Sequence, residues 1–203
     1  MPRLPKNAAV AVANPLVDLA TRPPLFECQP EVAVTRLVQD PLPSDAALAC
    51  VAIGANLGDA AATVKQAVQT LQQLADTSVV KCSSLYRTAP HEAQGPDFIN
   101  AAVLLRTHLA PLALLHALQA IENQQGRERP YKNAPRTLDL DLIFYGDVQL
   151  QTPELTLPHP RWHTRAFVLH PLADIWPERV SAELLKAVID QDIQKITAPI
   201  ALD

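Results

Sequence analysis

Between Leu48 and Tyr145 the apolar period switches repeatedly between two and 3.6, and the order of those switches narrows the folds open to this chain. Leu48 to Ile53 is a compact apolar run closed by Gly54-Ala55-Asn56-Leu57-Gly58, the pattern of a strand feeding a turn. Asp59 suits a helix N-cap, because a short carboxylate can accept the free amides of a first turn. Val64, Val68, Leu71 and Leu74 keep helical spacing after it. Residues 78–87 and 98–107 read as two further strands, joined by a connection over 88–96 too long for a tight hairpin. Pro111 fits the first turn of a second helix, with Leu114, Leu118 and Ile121 as its buried stripe and Gly126 as its stop. A last alternating strand starts at Leu138. The order β-α-β-β-α-β predicts an α+β, ferredoxin-like core: an antiparallel sheet with its helices packed on one face. After residue 147 the pattern predicts a short strand pair, a loop over 158–166, and one or two small helices ending near 192.

Residues 1–46 differ from this body. Eight of the nineteen prolines fall there, so no helical or strand period persists. They are expected to form an N-terminal extension, partly disordered or docked, ahead of a domain over 47–203. Basic Arg3 and Lys6 precede Ala8–Ala13, but that run is short, alanine-rich and closely followed by Pro15 and Asp18, a marginal apolar core from which a secretory signal is not expected.

Net charge of -4 argues against a protein that lives on nucleic acid, and no apolar run approaches a membrane span. Cys28, Cys50 and Cys82 are odd in number and widely spaced, as in a reduced cytoplasmic protein without a disulfide frame or zinc site.

The chemistry concentrates in Pro135-Arg136-Thr137-Leu138-Asp139-Leu140-Asp141-Leu142. On a strand, the three leucines share one face, and Asp139 and Asp141 share the other, roughly 6.5–7 Å apart. Two carboxylates that close repel, and a shared proton or bound cations would offset the repulsion. The alternative is a polar face in water. Arg127, Arg129, Lys132 and Arg136 lie within the preceding segment, either as a solvated basic loop or as a grip on oxyanions. Acids that hold metal beside bases that hold phosphate divide the labour that phosphoryl transfer requires, and magnesium suits such hard oxygen donors.

A second basic run, His159-Pro160-Arg161-Trp162-His163-Thr164-Arg165, suits phosphate contacts or a surface loop, and lacks zinc spacing. Phe98 and Asn100 share a strand face, where a ring and an amide can stack on and edge-bond a planar heterocycle; Phe in a strand is otherwise core. No glycine-rich phosphate loop and no nucleophile elbow occur, so a nucleotide here must be held by side chains and metal. These features leave three readings: a metal-dependent phosphotransferase, a metal-dependent phosphohydrolase, and a non-catalytic ligand-binding module.

From about 48 to 175 the chain resembles the 6-hydroxymethyl-7,8-dihydropterin pyrophosphokinases of folate biosynthesis. The motifs that carry the resemblance are Ala52-Ile53-Gly54-Ala55-Asn56-Leu57-Gly58, Ser83-Ser84-Leu85-Tyr86-Arg87-Thr88, Gly95-Pro96-Asp97-Phe98-Ile99-Asn100-Ala101 and Pro135-Arg136-Thr137-Leu138-Asp139-Leu140-Asp141. Leu157-Pro158-His159 and Arg165-Ala166-Phe167 complete them. The resemblance implies transfer of pyrophosphate from ATP to the hydroxymethyl oxygen of the dihydropterin, releasing AMP. It implies two magnesium ions on Asp139 and Asp141, and catalytic Arg127 and Arg136 on a mobile loop. Thr88, Phe98, Asn100 and Phe167 match the pterin pocket, with the two rings enclosing the heterocycle. Gln119, Glu122, Arg129, His159 and Arg165 match contacts to ATP.

Lys132-Asn133-Ala134 stands where the family often has Arg-Trp-Gly, so a covering ring is absent or supplied by Tyr131; Ala89 replaces a frequent proline. The expected partners are ATP and the pterin, without nucleic acid or membrane, for a cytoplasmic monomer.

Overall fold

The computed structural model describes residues 46–90, 95–125 and 137–200. All of them lie in one compact unit, Val38–Asp203. The expected extension over 1–46 falls outside the described residues apart from Ala46, as do Gly126, Tyr131 and the run 132–134.

Strand β1 (Ala47–Ala55) leads into helix α1 (Ala60–Gln72), then β2 (Thr77–Cys82), β3 (Ser84–Thr88), β4 (Phe98–Thr107), α2 (Pro111–Gln124) and β5 (Asp139–Tyr145). The sheet runs β5-β1-β4, with β2 and β3 both on the far side of β4 and every pairing antiparallel. Taking β2 and β3 as one bent strand gives the ferredoxin-like order. The single strand expected over 78–87 is thus broken at Ser83. Its hydroxyl accepts the Ala102 amide at 2.8 Å while its own amide donates to the Ala102 carbonyl at 2.9 Å. A side-chain oxygen stands in for a backbone one, so the strand bends without losing its partner.

The helices start where the capping logic puts them. Asp59 accepts the Ala62 amide at 3.0 Å, and Val64, Val68 and Leu71 are buried. The helix ends at Gln72, so Leu74 packs against the core from beyond it. Pro111 opens α2, whose Leu114, Leu118 and Ile121 face the same core.

Beyond β5 come the short pair β6 (Leu150–Gln151) and β7 (Thr156–Leu157), then α3 (Ala166–Ile175), α4 (Ala182–Ala187) and β8 (Ile193–Pro199). Strand β8 extends the sheet by pairing with β3. The pattern did not announce it: Ile193 and Ile196 recur every three residues, and most of the strand is exposed.

The sheet separates two apolar layers. Helices α1 and α2 pack on one face with Val51, Ile53, Leu138, Leu140 and Leu142. The one-face arrangement holds for this pair, but α3 covers the other face, setting Val168, Leu172 and Ile175 against Cys50, Ala52, Ala102 and Leu104. Leu172 is wholly buried, which stabilises by about 1.5–3 kcal/mol. Strand β5 serves both layers through a bulge. Cys50 pairs with Phe144 but Val51 with Leu142, so Ile143 is the extra residue and lies with Phe144 on the α3 side. No helix among the described residues is long and apolar enough to cross a membrane.

Candidate active site

The face of the sheet toward α3 carries a polar row. Asp139 pairs with Gly54, Gly54 with Asn100, Asn100 with Tyr86, and Tyr86 with Lys195. Directly paired residues share a face, so Asp139 and Asn100 flank Gly54 and stand about 10 Å from each other, two strand spacings. One step along, Asp141, Ala52 and Ala102 form the next row. Between the acids and the amide the floor is therefore glycine and alanine. Gly54 is not in the left-handed region; what it supplies is space, since a Cβ there would lie 3.4 Å from Asn100 Oδ1.

Asn100 is buried and donates through Nδ2 to Thr88 Oγ1 at 3.0 Å. That bond fixes its amide, so the orientation of its Oδ1 is set by the fold. Phe98, two residues earlier on the same strand face, is half-buried. Asn56, nearly fully buried, donates to the Pro96 carbonyl at 3.3 Å and ties the turn after β1 to the segment that enters β4.

Arg165 and Phe167 enter from the start of α3. The Arg165 guanidinium lies 3.9 Å from Asp141 Oδ2 and 5.2 Å over the Phe167 ring. Its side chain is 20% exposed, so the charge faces a site rather than bulk water. His159 sits near both Arg165 and Asp139. Burial, then Arg165 and Arg161, lower its pKa to about 4 against the opposing pull of Asp139. The Arg161 amide donates to His159 Nδ1 at 3.2 Å, which leaves the proton of the neutral ring on Nε2. An NMR titration of the free protein should find His159 neutral down to about pH 4; a midpoint near 6.5 would contradict this environment. Because the folded value lies below the unfolded one, protonation opposes folding, and this group makes stability rise with pH between about 4 and 6.5.

The acid strand is anchored from behind. Glu122 on α2 is 1% exposed and accepts the Leu140 amide at 2.8 Å, serving a backbone donor of the edge strand. Its neighbour on the helix, Gln119, is exposed. So the structure brings Asp139, Asp141, Thr88, Phe98, Asn100, His159, Arg165 and Phe167 to one face. It sets Glu122 beneath the acid strand and Gln119 on the surface of α2. Arg127, Arg129 and Arg136 fall outside the described residues.

Three contributors were not singled out from the sequence. Gly54 as a floor carried a signal, since glycine inside a strand marks a close approach. Tyr86 and Asp174 carried none. Asp174 accepts from the Ser84 amide and Lys195 Nζ, each at 3.1 Å, and from the Tyr86 hydroxyl. Burial would raise the Asp174 carboxyl, but these bonds outweigh it and hold it below the ordinary carboxylate value. A depressed folded pKa gives stability that is present above the unfolded value of 3.8 and lost as pH falls through the folded one. Asp174→Asn should therefore cost about 1 kcal/mol in urea melts at pH 7 and progressively less below pH 3.8. A cost that does not shrink in acid would refute the charged role.

Two hard carboxylates with a partly exposed face fit magnesium. Magnesium is usually held by one or two carboxylates, with its remaining positions taken by water and phosphate oxygens.

The sequence model of the 7,8-dihydro-6-hydroxymethylpterin-pyrophosphokinase (HPPK) family matches residues 50–177. The chain is 46% identical over 141 residues to the 2-amino-4-hydroxy-6-hydroxymethyldihydropteridine pyrophosphokinase of Synechocystis sp., covering 70% of this chain and 72% of that one. It is 42% identical over 153 residues to the protein of the same name from Pseudomonas aeruginosa, covering 72% and 94%. Among solved structures, an HPPK-DHPS in complex with substrates superposes with a TM-score of 0.57 at 14% identity. The match covers 72% of this chain but 43% of that longer one, and it bears on the fold alone.

Proposed function

We propose, since this chain belongs to the 7,8-dihydro-6-hydroxymethylpterin-pyrophosphokinase family, that the acid pair and the bare floor beside it are the seat of that family's reaction. The chain transfers pyrophosphate from ATP to 6-hydroxymethyl-7,8-dihydropterin in folate biosynthesis. The hydroxymethyl oxygen loses its proton to solvent and bonds to the β-phosphorus, the bond from that phosphorus to the α–β bridging oxygen breaks, and AMP leaves with that oxygen.

The observation that carries the residue assignment is the shared face. Asp139 stands across Gly54 from the fixed amide of Asn100, with Asp141 one row along over Ala52 and Arg165 3.9 Å from Asp141. In this reading Asp139 and Asp141 hold two magnesium ions. Magnesium, when bound, neutralises phosphate oxygens and acidifies a coordinated hydroxyl. Arg165 grips phosphate oxygens with its planar donors, and stacking on Phe167 limits its freedom before ATP arrives. His159, neutral with its proton on Nε2, donates one hydrogen bond without adding charge. Asn100, oriented by Thr88, reads the edge of the pterin while Phe98 and Phe167 supply apolar surface to its faces. Arg127, Arg129 and Arg136 add phosphate contacts, and Gln119, exposed on α2, is left to reach ATP from the surface. Glu122 acts through the Leu140 amide by holding the acid strand in place.

The buried free thiols of Cys50 and Cys82 suit the cytoplasm. Incubation with ATP, magnesium and the pterin alcohol tests the reading. AMP and the pterin diphosphate are the expected products; ADP or free phosphate as the main product would point to a different transfer or to a hydrolase.

A further inference from the structure

Arg165 is framed by a side chain that arrives from 26 residues downstream. Gln191 Oε1 accepts the Ala166 amide at 2.9 Å, and Gln191 Nε2 donates to the Thr164 carbonyl at 2.9 Å. The two bonds straddle Arg165. They also fix the sense of the amide, because a peptide N–H can only donate and a carbonyl can only accept. No side chain of the preceding segment caps α3, so Gln191 satisfies one of the orphan amides of its first turn from outside.

The rest of the helix does not hold that turn firmly. Pro171 lies inside α3 and has no amide to offer the Phe167 carbonyl four residues back, which removes one rung between the first turn and the body of the helix. The backbone that carries Arg165 and Phe167 therefore depends more than usual on a bond from elsewhere. Gln191 also lies beyond the stretch matched by the family's sequence model, which ends at residue 177.

We propose that Gln191 is a positioning residue for the transfer reaction: its carboxamide clamps the peptide units on both sides of Arg165 and so holds the guanidinium beside Asp141. This rests on the reading of Arg165 as a phosphate grip. A displacement of about 1 Å at a positioned charge can cost up to roughly 10²-fold in rate, and a loosened one less.

A double-mutant cycle separates positioning from mere support of the fold. Gln191→Leu, which keeps the size and removes both bonds, should lower kcat/KM for ATP about tenfold and weaken ATP binding with it, in a protein that remains folded by circular dichroism. Arg165→Ala alone should lose more. In the Arg165→Ala background, Gln191→Leu should change kcat/KM by less than about twofold, since there is no guanidinium left to place. Gln191→Glu keeps the acceptor for the Ala166 amide and loses the donor to Thr164. It should fall between wild type and Gln191→Leu, and it serves the same cycle should the leucine variant fail to fold. A Gln191 effect that persists undiminished without Arg165 overturns the proposal and leaves the Arg165 reading intact. Full activity of Arg165→Ala overturns both.

Discussion

Asp141→Asn should give a folded protein whose turnover with ATP and the pterin falls by roughly 10²–10³. Asparagine matches aspartate in size, and the Asp141 side chain is 36% exposed at the edge strand, so the change opens no cavity. What it removes is half the negative charge that the site offers a cation. It also releases Arg165 from its acidic neighbour at 3.9 Å, which should leave ATP able to bind through that guanidinium. The loss should therefore fall mainly on kcat and on the magnesium dependence, and less on the affinity for ATP. Steady-state kinetics over a magnesium series checks this, with a melting curve to confirm the fold. A variant within tenfold of wild type at saturating magnesium would remove Asp141 from the metal assignment.

That face was legible because a strand has a rigid code. Leu138, Leu140 and Leu142 against Asp139 and Asp141 permits only one reading once the segment is extended, and the leucines are buried while the acids are not. The spacing of Val64, Val68 and Leu71 fixed α1 in the same way. Features that depend on a second segment were not legible. The bulge at Ile143 exists only as a mismatch with Cys50 and Val51, and the break at Ser83 only because its hydroxyl meets the Ala102 amide. Strand β8 lacks alternation because little of it is buried. Glu122 reads as a polar position on an amphipathic helix, yet it is buried because an edge-strand amide needs an acceptor there. Gln191 is the extreme case, since its partners are backbone groups that carry no residue identity.

Gly54 offers a graded test of the site's shape. Its backbone is ordinary strand, so substitutions probe the space above it with little change in main-chain preference. A methyl carbon there would meet Asn100 Oδ1 at 3.4 Å, the edge of ordinary contact. Gly54→Ala should therefore be tolerated, with a rise of a few-fold in KM for the pterin. Gly54→Val adds two further carbons between Asp139 and Asn100, and the Thr88 bond prevents the amide from moving aside. Forcing bulk into a fixed space typically costs about 1–3 kcal/mol, and the same energy taken from pterin affinity is roughly 5- to 150-fold. The branching of valine suits a strand and offsets part of that cost, so pterin binding should fall by more than the stability does. ATP affinity should be affected far less than pterin affinity, because the proposed site has Arg165 and the acids meet the triphosphate away from the amide. Equal losses for both substrates would show that the floor is not a pterin surface. An alanine variant as damaged as the valine one would show that Gly54 serves the backbone rather than the ligand.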